Sequence, residues 1–413
     1  MSVTTSGRAS SRGGSRGRTS AGHVPGGRAW VVAGAVAGLA LYLLRHRIEG
    51  AARASMVDWA TVERIATSRL RGASGTLSRS ELGAALPSYR AAMDRVVPLL
   101  ERELGSPLPG VVERYSVVDR SAWVHANLGT FRQLIGHLEE ALADEMRPRR
   151  GDVAGSLMLL ANRFLTTRQI GYLLAFMGQR VLGQYDLAIL SAESEPGQLL
   201  FVEENVRATA RALDVPVAEM RAWVALHETT HAYEFEAHPW VRPYLRERLE
   251  RQLAAFIEDA RLFQARGMGV LIRRWRDGGD ADSWLEALMT PEQRRLFQET
   301  QVVMSLLEGF SDWVMDEVGA ELLPDVERMR HRFEERRARR SPLERLVFRV
   351  TGLDLKLEQY RRGSAFVAGV VAGGGRETLT RLWAGPHTLP TADELDHPER
   401  WLARTATPAD GAA

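Results

Sequence analysis

The sequence predicts a mainly α-helical protein with one small β-hairpin, and three observations carry that expectation. From Val57 onward, segment after segment places apolar residues three and four apart, the spacing of a helix that buries one face. Strand-like patterning is confined to a single stretch. The chain of 413 residues is 45% hydrophobic, enough to bury one large core or two smaller ones. It contains no cysteine, so packing rather than disulfides must hold it together.

Taken in order, residues 1–28 are Gly, Ser and Arg with almost nothing apolar, which reads as a disordered basic tail. Residues 29–48 form an apolar helix. Its uncharged core, Ala29 to Leu44, would span about 24 Å as a helix, short of the roughly 30 Å hydrocarbon layer. That leaves two readings open, a membrane anchor or a helix buried on the protein's own core. Helical spacing follows over Pro87 to Leu104, Ser121 to Glu145, Gly155 to Leu182, Val202 to Leu213, Val217 to Ala237, Pro243 to Ala265, Pro291 to Val318 and Arg361 to Gly373. Thr290-Pro291-Glu292-Gln293 is a well-formed helix start, with a capping Thr, Pro at the first position and Gln at the third. The hairpin is expected from Asp186–Leu190 and Leu199–Val202, separated by a turn rich in Ser, Glu, Pro and Gly. One domain over residues 57–404 accounts for all of this, with residues 405–413 as a disordered tail.

The densest chemistry lies in His227-Glu228-Thr229-Thr230-His231. On a helix the two histidines stand four residues apart and share a face, so both rings can reach one metal ion. Glu228 sits about 100° round the helix, placed to act on water at that ion. Two imidazoles and a base are the working parts of a zinc hydrolase. Pro216 suits the first turn of this helix and Pro239 closes it.

Zinc requires a third ligand, and without cysteine it must be nitrogen or oxygen. A third histidine ten residues after the first is missing. His238 comes at eleven, is followed by Pro239, and no Gly intervenes. A Glu from a separate helix, with an Asp one turn later, is the other solution. Of three such pairs, Glu140 with Asp144 lies in a charged segment, and Glu321 with Asp325 straddles Pro324, which breaks a helix. Glu308 with Asp312 is embedded in a run of apolar residues from Val302 to Met315, where two carboxylates demand a positive partner. Glu308 is therefore the expected third ligand. Asp312 is expected to orient His227 or His231 by accepting from the ring nitrogen turned away from the metal, and the sequence leaves open which.

These residues are accompanied by others. Asp119-Arg120-Ser121-Ala122-Trp123-Val124-His125-Ala126-Asn127, Val181-Leu182-Gly183-Gln184-Tyr185-Asp186, Pro239-Trp240, Leu307-Glu308-Gly309 and Lys356-Leu357-Glu358-Gln359-Tyr360-Arg361-Arg362-Gly363 stand around the metal motif. With them the chain resembles an actinobacterial zincin-like family of zinc-dependent metalloproteases, some labelled for association with biosynthesis of a deazaflavin coenzyme. The resemblance runs from Asp58-Trp59 to Trp401-Leu402-Ala403-Arg404. It implies a zincin-like architecture, with the metal site between two core helices, and a metallohydrolase activity. It supplies no substrate, and no residue suggests a deazaflavin pocket.

The expected reaction is hydrolysis of a peptide or related amide bond, with Zn2+ as cofactor and Glu228 as general base. A fold that keeps zinc as a non-catalytic interaction or membrane-associated protein is the alternative. Lys356 is the sole lysine among 54 basic residues, and it, Tyr360 and Arg361 are candidates for contacting substrate or a developing oxyanion. The net charge of +2 conceals an asymmetry, because residues 1–48 hold seven arginines and no acid, leaving 47 basic against 52 acidic residues. A nucleic-acid partner is not expected of so acidic a domain. The expected partner is a peptide or protein substrate, with membrane contact through residues 29–44 if the anchor reading holds; the expected location is cytoplasmic or membrane-associated. No pattern speaks to oligomeric state.

Overall fold

In the computed structural model, residues 55–108, 110, 114–146, 153–185, 198–266, 289–338 and 353–406 are described. The basic tail, the apolar segment 29–44 and the strand expected at Asp186–Leu190 lie outside them. The chain divides into two compact units. One comprises residues 1–54 with 148–160, of which only 153–160 are described; the other, 55–147 with 161–413, holds the sheet and the metal motif. No helix among the described residues is long and apolar enough to cross a membrane.

The fold is mainly helical, as the apolar spacing predicts. Helices α1 (Trp59–Arg71) and α2 (Arg79–Leu104) precede strand β1 (Tyr115–Val118). Then come α3 (Arg120–Met146), α4 (Val153–Gly178), β2 (Gly183–Tyr185) and β3 (Leu199–Val202). Among the described residues the second half is helical: α5 (Glu203–Leu213), α6 (Val217–Glu236), α7 (Val241–Arg266), α8 (Pro291–Leu322), α9 (Val326–Ala338) and α10 (Leu353–Gly374), then short helical segments ending in the helix Pro398–Ala406.

Local chemistry explains most boundaries. Thr290 and Gln293 cap α8 reciprocally, Gln293 N–H donating to Thr290 Oγ1 at 3.2 Å and Thr290 N–H to Gln293 Oε1 at 2.7 Å. Helix α2 begins eight residues before the Pro87 start expected from the sequence. The cause is a second capping box, Ser78 with Glu81, which starts the helix early and carries it through Pro87 and Pro98. Leu199–Val202 is a strand as expected, and among the described residues its antiparallel partner lies just before Asp186. That partner is β2, Gly183–Tyr185, and β1 lies parallel on β3's other side.

Strand β3 is thus central, and all four of its residues are buried. Its alternation sends Leu199 and Phe201 into the large core with α2, α6, α8 and α10, while Leu200 and Val202 enter a smaller core with Trp123, Leu174 and Leu70. A continuous apolar run is what a strand buried on both faces requires. In the large core, α8 crosses α10 at almost backbone contact. A Cβ placed on Gly309 would collide with the backbone of Gly363, and one on Gly363 with the carbonyl of Ser305. Only glycine permits that approach.

Candidate metal centre

Helix α6 carries the histidine motif and α8 crosses it from a distant part of the chain. Four-residue spacing puts His227 and His231 on one face of α6, their ring centroids 4.6 Å apart and nearly perpendicular. Their Nε2 atoms lie 3.3 Å from one another. From α8, Glu308 Oε2 reaches to 3.5 Å from His231 Nε2. One donor atom from each of the three residues lies within 4.8 Å of the others. Glu308 is buried, and both histidines are half-buried.

The donor set fits a metal. Two ligands each about 2.0–2.1 Å from a tetrahedral ion stand about 3.3–3.4 Å apart, close to the separations here. Each imidazole is also oriented from behind. His231 Nδ1 lies 2.7 Å from Glu234 Oε2, and an ionised carboxylate can only accept, so the ring nitrogen donates. That leaves the lone pair of His231 Nε2 aimed at the point shared with His227 and Glu308. His227 Nδ1 lies 2.9 Å from Ser311 Oγ, on α8 and one turn beyond Glu308. Nitrogen lone pairs and a carboxylate converging in a buried space repel unless a cation sits among them.

Electrostatics say the same of the protein without a metal. Burial works against a charged His231, but Glu234 and Glu308 outweigh it and hold the imidazole well above its ordinary range. Glu234, fully buried, is pushed up to about 7 by burial, against the pull of His231.

Glu228 stands beside this group and is held by the sheet. The N–H of Tyr185 donates to Glu228 Oε2 at 3.0 Å. Just before β2, the carbonyl of Leu182 accepts from Val202 N–H of β3, so by alternation Gly183 and Tyr185 turn their backbone groups away from β3, and that of Tyr185 meets α6. A Cβ at Gly183 would run into Glu228 and Val224, which is why the strand can lie so close. Strand β2 is itself pinned from its other side. Trp123 Nε1 donates to Gln184 Oε1 at 2.6 Å, Gln184 Nε2 to Asn127 Oδ1 at 2.8 Å, and Asn127 Nδ2 to the Trp123 carbonyl at 2.9 Å. Two of the stretches flanking the motif in sequence thus meet in one buried network behind the strand.

The remaining expected residues are distributed as follows. Glu234 lies against His231 Nδ1 and Ser311 against His227 Nδ1, and Asp312, expected to support one of these rings, is half-buried next to Ser311. Ser311, three residues beyond Glu308, was not anticipated from spacing. Glu234 was missed although its signal was present, an acid three residues past His231 in the apolar run Ala232 to Phe235. Arg361 is exposed on α10, two residues before the Gly363 crossing, and the side chains of Lys356 and Tyr360 lie outside the described residues. His238 stacks on Trp383 at 4.8 Å and is held down to about 4 by burial, which suits a packed neutral ring.

Residues 57–402 match the model of the zincin-like metallopeptidase family. The chain belongs to that family. It is also similar to a solved structure described as "a putative hydrolase with a novel fold" from Chloroflexus aurantiacus, at 35% identity over 86% of this chain and 100% of that one, with a TM-score of 0.64. No curated protein matches. For this zincin-like metallopeptidase family member, the mainly helical fold is in keeping with the family, and His227, His231 and Glu308 form a group that could hold its metal. Neither similarity bears on the actinobacterial, coenzyme-associated label.

Proposed function

We propose that the protein is a zinc-dependent peptidase in which His227, His231 and Glu308 hold the metal and Glu228 is the general base. The convergence of these donors on one point, with a separately anchored carboxylate beside it, carries the proposal. A zinc ion held there would act as a Lewis acid on a peptide carbonyl and lower the pKa of a water molecule. Three protein ligands leave a tetrahedral ion one position for water or substrate.

Glu228 ligates nothing in this scheme. Tyr185 N–H donates to Oε2 and so orients the carboxylate, which takes a proton from the attacking water and later delivers it to the leaving amine. Glu234 and Ser311 keep the two imidazoles in the orientation that presents Nε2. The outward-facing backbone of Gly183 offers an edge along which an extended peptide can lie beside Glu228.

The decisive variant is Glu228→Gln. Its amide carbonyl still accepts from Tyr185 N–H, so fold and one-to-one zinc content should persist while cleavage of an unfolded protein substrate such as casein falls at least a hundredfold. Cleavage at the native rate would sink the mechanism. If neither protein cleaves, and cobalt spectra of the substituted protein show a closed fourth position, the metal is structural.

A further inference from the structure

Tyr185 links the centre to a feature that the hydrolytic mechanism leaves unused. Its backbone touches Glu228, but its ring extends along α6 and stacks on Phe235, centroids 5.9 Å apart. Seven residues separate Glu228 from Phe235, so they share a face two turns apart. The Tyr185 hydroxyl donates to Glu236 Oε1 at 2.9 Å and accepts from Arg242 Nη2 at 2.7 Å. The Arg242 guanidinium centre lies 5.4 Å from the Tyr185 ring centroid and 5.7 Å from that of Phe235.

The charge of Arg242 is not met. Glu236, the nearest acid of this cluster, is paired with Arg114 at 2.6 Å. Among the described residues no carboxylate lies within ion-pair distance of Arg242. Other half-buried arginines around the domain do have acids: Arg207 and Arg221 share Glu203, and Arg248 reaches Glu299 at 3.1 Å. Arg242 has five N–H donors in a planar fork, one of them spent on a hydroxyl, and two aromatic rings hold the plane. A guanidinium oriented in this way accepts a carboxylate through two parallel hydrogen bonds.

We propose that Arg242 binds a carboxylate of the peptide substrate. Two helical turns, about 10 Å, separate Glu228 from Phe235, beside whose ring this guanidinium lies. At about 3.3 Å per residue, an extended peptide covers that in about three residues. The anchored carboxylate therefore lies about three residues from the cleaved bond, and it belongs either to the peptide's C-terminus or to an Asp or Glu side chain. This inference rests on the peptidase reading for its substrate class, but binding can be measured without turnover.

The test uses the full-length, zinc-loaded Glu228→Gln protein, immobilised, and three pools of random hexapeptides. One pool lacks Asp and Glu and is C-terminally amidated; the second lacks them but has a free C-terminus; the third is amidated and carries a single Glu. The protein should retain the second or the third pool at least tenfold over the first, and which one identifies the source of the carboxylate. Adding Arg242→Gln should abolish the preference, while Arg242→Lys should restore part of it. Equal retention of all pools, no retention of any, or a preference that survives Arg242→Gln would overturn the assignment. Casein cleavage by the native protein keeps the two ideas apart: cleavage without carboxylate preference removes only this one, and carboxylate preference without cleavage removes only the peptidase reading.

Discussion

The orientation of His231 is where the structure makes its most quantitative statement about metal affinity. Glu234 is completely buried and its Oε2 lies 2.7 Å from His231 Nδ1. Glu234→Gln preserves volume and leaves a carbonyl oxygen able to accept from the same ring nitrogen, so what is lost is the negative charge. Hydrogen bonds to charged groups contribute about 1.5–3 kcal/mol, centred on about 2.5, and neutral ones about 1 kcal/mol, a central difference of about 1–2 kcal/mol. Zinc affinity should accordingly fall about five- to thirtyfold, in line with the tenfold to hundredfold effects of comparable supporting groups. Ser311→Ala removes a neutral partner 2.9 Å from His227 Nδ1 and should cost about 1 kcal/mol, roughly fivefold. Competition against a chromophoric chelator at fixed pH measures both, and circular dichroism confirms that each variant is folded. Affinity within twofold of the native protein in Glu234→Gln, or a larger loss in Ser311→Ala, would refute this account of how the histidines are held.

Two further variants test the scaffold. Gly363→Ala sets a methyl group against the Ser305 carbonyl, and because backbone meets backbone no side chain can yield; the cost should be about 3 kcal/mol or more, seen as a lowered urea midpoint together with weakened zinc binding. A native midpoint would show that α8 and α10 can separate freely. Trp123→Phe deprives the buried Gln184 carbonyl of its 2.6 Å donor at a cost of about 1–3 kcal/mol and loosens β2 behind Glu228, so kcat should drop while zinc content stays the same. An unchanged kcat would disconnect that network from the proposed general base, Glu228.

Much of this was legible in the sequence because it depends on local chemistry. The histidine helix runs from Val217 to Glu236, one residue short of the expected end, and the Thr290 capping box starts α8 where its residues require. Glu308 could be singled out because a carboxylate in an apolar helix needs a partner wherever that partner comes from. Strand β1 was not legible, since Tyr115–Val118 is only four residues long and is defined by its pairing with a segment more than eighty residues later. Strand β2 was not legible because Gly183-Gln184-Tyr185 is short and begins with glycine; the contact with Glu228 and the bond from Trp123 hold it there. Ser311 was invisible for a similar reason, as a serine in a helix discloses nothing until the opposing imidazole is known.

The proposed ligands and their supports cross between two helices, and this constrains what else the fold must do. Helix α6 supplies two histidines and Glu234, whereas α8 supplies Glu308 and, through Ser311, the partner of a histidine on α6. Sliding α8 by a single residue would displace Glu308 and Ser311 together by about 1.5 Å. Metal–ligand distances tolerate only about 0.2 Å. Packing of mobile apolar side chains between α6 and α8 would not by itself fix their register so closely, since such side chains can change rotamer. The glycine contact between α8 and α10 can, because rigid backbone meets rigid backbone immediately beside Glu308. Helix α10 contributes none of the three donors, yet it sets where one of them stands. That gives the Leu307-Glu308-Gly309 and Arg362-Gly363 stretches a shared physical reason to accompany the histidine motif.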